Sequence, residues 1–277
     1  MATLKSTQIC TSVQRSVEQP STTERCQLLL NAWRAGLSLN ARERSCLDAE
    51  RQQIDQQLTR LKERHLRIAV SGRVGAGKSS LINALVGRSV MTTDVLHGST
   101  RHDHGVDWPT PIPGLGRVEL IDTPGLDEID GGDRARLALN VALKADLVLF
   151  VLDGDLSRSE QLALSRLLDQ GQTVQLVLNR CDRWPRSELN ALIRSVRRRL
   201  PDRFRHLPLT PVAAAPREPT IEPDGRVCSS AQPPQIASLH DHLVALLQGS
   251  GVLLLALNTL RQADGFERSR QQLRLQP

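Results

Sequence analysis

Gly72, Arg73, Val74, Gly75, Ala76, Gly77, Lys78 and Ser79 have the order and spacing of a phosphate-binding loop. Glycines let the backbone wrap inward, so that successive N–H groups face one anion. A helix starting at Lys78 turns its positive end toward the same charge. Lys78 offers a compact ammonium to terminal phosphates. Ser79, followed by Ser80, offers a hydroxyl of the kind that hard Mg²⁺ prefers. The apolar run Leu66–Val70 before the loop and the Leu/Ile/Ala-rich run Lys78–Val86 after it supply the strand and helix such a loop needs. That context sets it apart from an ordinary glycine-rich turn.

Two further groupings follow in the chain. Asp122, Thr123, Pro124 and Gly125 come directly after the apolar run Arg117–Ile121. A carboxylate at a strand end sits where open α/β sheets bind ligands, and Asp122 there can serve Mg²⁺ through water. Gly125 can bring a backbone N–H against a γ-phosphate with no side chain between. Asn179, Arg180, Cys181 and Asp182 come after the strand-like run Thr173–Leu178. A carboxylate at Asp182 can accept from N1–H and the 2-amino group of guanine. Adenine has neither donor, and the mismatch would cost kilocalories.

These three groupings in this order resemble the P-loop GTPases of the Ras and translation-factor class. The likeness is nearest to the bacterial Era-like and dynamin-related branch and extends over residues 65–248. It implies a three-layer α/β domain with a six-stranded, mostly parallel sheet and one antiparallel edge strand near residues 103–108. It implies GTP and GDP as ligands, with Mg²⁺ held by Ser79, Asp122 and a switch-loop threonine. Ser99, Thr100, Arg101 and His102 look like that switch segment, which makes Thr100 the choice, with Thr92 and Thr93 as alternatives. Lys78, Thr100 and Gly125 would then act on the γ-phosphate. Leu209–Ala214 lies where the family sets backbone N–H groups near the guanine oxygen, so Ala213 and Ala214 are assigned there, although the usual Ser is absent.

The chain departs from the family pattern at three further places. Arg180 stands where Lys is usual, and its planar head is bulkier. Leu126 follows Gly125 where Ras-like enzymes have a water-positioning Gln. Gly75 stands where some relatives carry an Asn that recruits potassium. The expectation is slow intrinsic hydrolysis of GTP by a conformational switch, accelerated by a homodimer across the nucleotide or by a partner. The rivals are a non-hydrolysing nucleotide-gated scaffold, a dynamin-like membrane-associated protein, and an Era-like ribosome or RNA factor.

To position these groups, apolar runs must alternate with helices. The runs are Leu66–Val70, Arg117–Ile121, Asp146–Asp153, Thr173–Asn179 and Pro208–Val212. The helices are Lys78–Val86, Asp133–Lys144, Ser159–Asp169, Ser187–Leu200 and Ile236–Leu247. Runs without polar alternation suit parallel strands buried on both faces. Residues 1–20 read as a disordered tail, with an organelle transit peptide as the rival. Residues 21–64 read as a helical hairpin or long helix with a stripe at Leu47, Ile54, Leu58 and Leu61. That stripe could meet a partner helix, a lipid surface or the domain's own core. Residues 214–235, with five prolines, read as a loop. The apolar tract Leu243–Leu260 reads as two helices broken at Gly249–Gly251. The stretch 249–277 is expected to pack as a C-terminal helix on the N-terminal helices.

The 277 residues carry 36 Lys and Arg against 30 Asp and Glu, and only Lys5, Lys62, Lys78 and Lys144 are lysines. Aromatics are 2 % with no Tyr, which argues against an RNA-binding sheet of stacked rings. Cys10, Cys26, Cys46, Cys181 and Cys228 are odd in number and scattered, as free thiols in a reducing cytosol would be. The expected location is cytoplasmic, with peripheral membrane contact at most. His102 with His104, and His240 with His242, lack a third ligand at metal spacing. The arginines between Arg183 and Arg205 read as a solvated face, with RNA or anionic lipid as the rival partner.

Overall fold

The structure, a computed structural model, describes residues 21–91, 105–126, 133–221 and 227–275. The tail 1–20, the switch segment with Thr92, Thr93 and Thr100, and His102 and His104 lie outside the described residues.

Among the described residues three helices come first: α1 (Thr22–Ala35), α2 (Ala41–Cys46) and α3 (Asp48–Glu63). Ser21 and Glu24 form a capping box on α1, and Asn40 and Glu43 form one on α2. Arg64, in the left-handed region at φ 54°, ends α3 and turns the chain into β1 (His65–Gly72). Then come α4 (Lys78–Val86), β2 (Gly105–Asp107), β3 (Arg117–Asp122), α5 (Asp133–Lys144) and β4 (Leu147–Leu152). The chain goes on through α6 (Arg158–Asp169), β5 (Val174–Leu178), α7 (Arg186–Arg199) and β6 (Leu209–Pro211). It ends with β7 (Arg217–Ile221), β8 (Val227–Ala231) and α8 (Ala237–Leu275).

The main sheet has the order β2-β3-β1-β4-β5-β6, parallel except for β2, which runs antiparallel to β3 at the edge. This is the α/β sheet expected from the apolar runs. Every residue of β4 and β5 is buried, as strands covered on both faces must be. One face packs Ile68, Leu120 and Leu149 against Leu81 and Ile82 of α4 and Leu239 and Leu243 of α8. The other packs Phe150 and Leu176 against Ala138 and Ala142 of α5, Leu164 of α6 and Val196 of α7.

Two expectations are corrected. Residues 214–235 are not all loop: β7 and β8 pair antiparallel, with Pro219 opposite Ser229. A two-stranded ribbon has outer edges that need no N–H donor, so proline is tolerated there. The helix does not break at Gly249–Gly251, since α8 runs unbroken for 39 residues. A glycine inside a helix costs only about 0.5–1 kcal/mol relative to alanine. At Gly251 the missing side chain makes room for Leu115, whose Cδ1 would lie 2.9 Å from an added Cβ.

By length and composition α8 could cross a membrane. In this fold its first half covers the sheet, and its second half covers α1 and α3. Leu47, Ile54 and Leu61 of the expected stripe meet Leu255, Ala256, Ala263 and Phe266, with Leu58 at the margin. Trp33 stands edge-on to Phe266 and donates to Glu267.

The junction between the helical layer and the sheet is polar. The fully buried Asp146, just ahead of β4, accepts from Arg67 N (2.8 Å), Asn258 Nδ2 (2.6 Å), Arg60 Nη1 (3.1 Å) and Gln57 Nε2 (3.3 Å). Burial pushes its carboxyl above the usual range despite Arg60 beside it. At the far end, buried Glu43 pairs with Arg274 (2.6 Å) and Arg270 (3.2 Å). The Arg274 hydrogen bond and the Asn40 N–H hold it down to about 2.

Asp146→Ala would leave Arg60 buried without its counter-charge, and it should cost about 3–5 kcal/mol in urea unfolding. Glu43 titrates the other way. Its paired form stabilises the fold above the ordinary glutamate value of 4.5, and that contribution is lost as pH falls toward about 2. In Glu43→Gln, the melting temperature should therefore fall less steeply between those pH values than in the parent.

Candidate nucleotide-binding site

β1, β3, β4, β5 and β6 all deliver their C-terminal ends to one edge of the sheet, and the groups singled out above collect there. Gly72 ends β1 so close beneath the Val151 carbonyl that a Cβ would overlap it. Gly75 and Gly77 take φ of 78° and 89°, which L side chains seldom adopt. A Cβ at Gly77 would also strike the Asn179 amide. The loop backbone is thus left bare, and α4 starts at Lys78 directly after it. Lys78 is buried, and its Nζ donates to the Gly72 and Arg73 carbonyls at 3.3 and 3.0 Å. Val74 projects outward, Ala76 points into the core, and Ser80 is half-buried in the first turn of α4.

β3 brings Asp122 beside this loop. Ser79 Oγ donates to Asp122 Oδ2 at 2.6 Å. The hydroxyl and the carboxylate are adjacent oxygen donors at the start of α4, a set that fits Mg²⁺ when phosphate and water complete the shell. Thr123 Oγ1 donates to the Val70 carbonyl at 3.0 Å, and Leu126 N donates to the Gly72 carbonyl at 3.3 Å. Gly125 lies against Val74, whose N would be 2.9 Å from an added Cβ. The two loops therefore touch where only glycine fits. Leu126 is turned into the core face that contains Ala69 and Phe150, so it presents nothing to a water.

β5 ends in Asn179, which is buried and ties three segments together. Its N donates to Leu152 O at 2.7 Å. Its Nδ2 donates to Ala76 O at 2.9 Å, and its Oδ1 accepts from Ala214 N at 3.0 Å. Asp182 is exposed at the rim. Cys181 N donates to Val212 O, and burial, followed by the Asp182 charge, pushes its thiol up.

The assignment of Ala213 and Ala214 as donors to a guanine oxygen is corrected. Ala213 N donates to Gln235 O at 3.1 Å, and Ala214 N is taken by Asn179. Both residues are buried, whereas the next one, Ala215, is exposed. Ala213 and Ala214 shape the loop from beneath.

One participant escaped the sequence reading. Asp153, the residue after β4, is bridged by Arg73 (Nη2–Oδ1 2.6 Å) and by Arg180 (Nη1–Oδ2 3.0 Å). Arg180 takes φ 60° and also donates through Nη2 to Gly75 O at 2.6 Å. A charged residue directly after a wholly apolar run was the available signal, since such a side chain must emerge among the loops. Among the described residues no cluster of three His, Cys, Asp or Glu could hold a metal, and His240 instead stands edge-on to Trp108.

The order of this sheet, the bare loop between β1 and α4, and the Ser79–Asp122 pair define a P-loop nucleotide-binding domain. Residues 67–180 match the family described as 50S ribosome-binding GTPase. GTPase Der of Solidesulfovibrio magneticus is 34 % identical over 158 residues, 54 % of this chain and 35 % of that protein. GTPase Der of Microcystis aeruginosa is 38 % identical over 128 residues, 42 % of this chain and 27 % of that protein. The chain thus spans between about a quarter and a third of the length of the curated relatives it matches. Solved structures that align with it include Aquifex aeolicus Era bound to GDP and AlF4⁻, with TM-score 0.47 and 24 % identity over 54 % of this chain and 51 % of that one. Another is Toc33 from Arabidopsis thaliana, with TM-score 0.47 and 17 % identity over 74 % of this chain and 92 % of that one. Over residues 67–180 the chain is similar to P-loop GTPases of the bacterial Era-like branch.

Asn179→Ala would strand the Ala76 carbonyl and the Ala214 N–H in a buried place. Each orphaned group costs about 1–3 kcal/mol, so the urea midpoint should fall measurably and labelled GDP should bind more weakly.

Proposed function

We propose that this protein binds GTP and GDP and slowly hydrolyses GTP to GDP and phosphate in the presence of Mg²⁺, acting as a conformational switch. The observation that carries this reading is the convergence of Gly72–Ser79, Asp122–Gly125 and Asn179–Asp182 on one sheet edge, held together through Asn179. Backbone N–H groups of residues 73–79 and the start of α4 would receive the phosphates. Lys78 would move from the loop carbonyls to the β- and γ-phosphates. Asp182, at the rim, would accept from the guanine N1–H and 2-amino group. Ser79 and Asp122 would hold Mg²⁺, with Thr100 as the switch ligand. The ion would stabilise charge on the transferred phosphoryl group, which together with Lys78 is most of the catalysis in this chemistry. Gly125 and the Thr100 loop would sense the γ-phosphate and relax when it leaves.

Leu126 supports slow turnover. Its side chain is packed in the core, so water positioning must come from elsewhere, such as a second copy across the nucleotide or a protein partner. The same observation favours the non-hydrolysing scaffold as the second reading. Phosphate release measured at high protein concentration with Mg²⁺ and potassium separates the two: the enzyme should turn over, and release no greater than a buffer blank would leave only the scaffold. The reading places the protein in the cytoplasm.

Base choice gives an independent check. ATP should not displace labelled GTP from the parent protein. Asp182→Ala should lose much of the preference, because discrimination that rests on a pair of hydrogen bonds vanishes with the acceptor. Equal displacement by ATP and GTP in the parent would refute the role given to Asp182.

A further inference from the structure

Among the described residues, Asp153 is a strongly buried carboxylate at the loop edge that the nucleotide reading leaves without a task. Its side chain is only 8 % exposed, and each oxygen faces a different guanidinium. Oδ1 takes Arg73 through Nε at 2.8 Å and Nη2 at 2.6 Å, a two-toothed contact with the second residue of the phosphate loop. Oδ2 takes Arg180 Nη1 at 3.0 Å. The remaining Arg180 nitrogen, Nη2, reaches the Gly75 carbonyl at 2.6 Å. One carboxylate therefore joins the loop for the phosphates to the segment for the base, and Arg180 closes the circuit through Gly75.

The geometry explains why an arginine can serve at position 180. A lysine ammonium can donate to more than one oxygen, as Lys78 does, but only from a single point and with no plane to be oriented. Guanidinium carries its nitrogens at separate positions within one rigid plane, so Nη1 and Nη2 can reach the two acceptors at once and hold that plane in one orientation. Asp153 and Gly75 O fix that plane beside the place where Asp182 would read the base. A fixed plane can stack on a purine face without first losing rotamer freedom.

We propose that Asp153 is a positioning residue for guanine nucleotide, setting the orientation of Arg180 and of the Arg73 end of the phosphate loop so that the base and phosphate subsites are formed together. This rests on the guanine-nucleotide reading above and extends it to a residue that touches no nucleotide itself. Two consequences separate it from a bridge that only stabilises the fold. Loss of Asp153 should weaken the nucleotide more than it weakens the protein. It should also make the identity of residue 180 matter less, because the two side chains act as a unit.

The test uses full-length protein, fluorescent GDP with Mg²⁺, and urea unfolding of the nucleotide-free protein. Asp153→Asn keeps the shape and removes the charge. It should raise the Kd for GDP about tenfold or more, mainly through faster dissociation, with the urea midpoint close to the parent's. Arg180→Lys should weaken GDP binding in the parent background and add little in the Asp153→Asn background. Asp153→Glu keeps the charge on a longer stem and should bind between the two. It stands in for Asp153→Asn if that variant does not fold, and parent-like dissociation from it would then count against the proposal. If the parent binds GDP and Asp153→Asn binds within twofold of it, or if the two substitutions add independently, the role of Asp153 is overturned while the nucleotide reading stands. Absence of GDP binding by the parent overturns the nucleotide reading, and this proposal with it.

Discussion

The site depends on a buried side-chain amide. Asn179 has a donor and an acceptor, and each is used on a different loop: Nδ2 on the Ala76 carbonyl and Oδ1 on the Ala214 N–H. The Asn179 main chain is meanwhile held by Leu152 in β4. A leucine or alanine here would leave buried polar backbone exposed to nothing, and an aspartate could not donate. Gly77 must be glycine partly because this amide occupies the place of its Cβ. The left-handed backbone of the phosphate loop, the start of α4 and the path of the last loop thus follow from one hydrogen-bonding group at the end of β5.

The opposite edge of the sheet has its own constraint. Asp146 enters the interior ahead of β4 and collects donors from α3, β1 and α8. A buried carboxylate is tolerated only when so surrounded. The helical layer is therefore seated on the sheet by directional contacts as well as by the apolar contact of Ile54 and Leu61 with Leu255 and Phe266. The helix α8 joins the two ends of the molecule. It begins just after Gln235, which exchanges backbone hydrogen bonds with Ala213 at the nucleotide edge, and it runs on to Arg270 and Arg274 beside Glu43.

Much of this was legible in the residues. The apolar runs at Leu147–Leu152 and Val174–Leu178 could hardly be anything but covered strands, and the glycine pattern before Lys78 marked the loop between β1 and α4. The antiparallel edge strand β2 came from family likeness, since Gly105–Asp107 is too short and too exposed to announce itself. The β7–β8 ribbon was hidden by prolines, although Asp224-Gly225 between two β-prone runs is a hairpin signal. The unbroken course of α8 was hidden by Gly249 and Gly251. Local propensity penalises glycine in a helix, but the penalty is small beside the packing of a helix whose buried face lies first on the sheet and then on the N-terminal helices.

What the sequence settled is therefore the order of residue types along the chain: a glycine-rich loop ending in Lys78 and Ser79, a carboxylate at Asp122, and an amide and a carboxylate at Asn179 and Asp182. Those follow from residue type and spacing, which act over a few residues. The tertiary structure alone decided which groups are spent on holding the site and which remain for a ligand. It gave the Ala213 and Ala214 N–H groups to Gln235 and Asn179, turned Leu126 into the core, and set Asp153 between Arg73 and Arg180. These outcomes depend on contacts between segments far apart in the chain, and a backbone N–H spent on one of them is not free for a ligand, so only the folded arrangement could assign them.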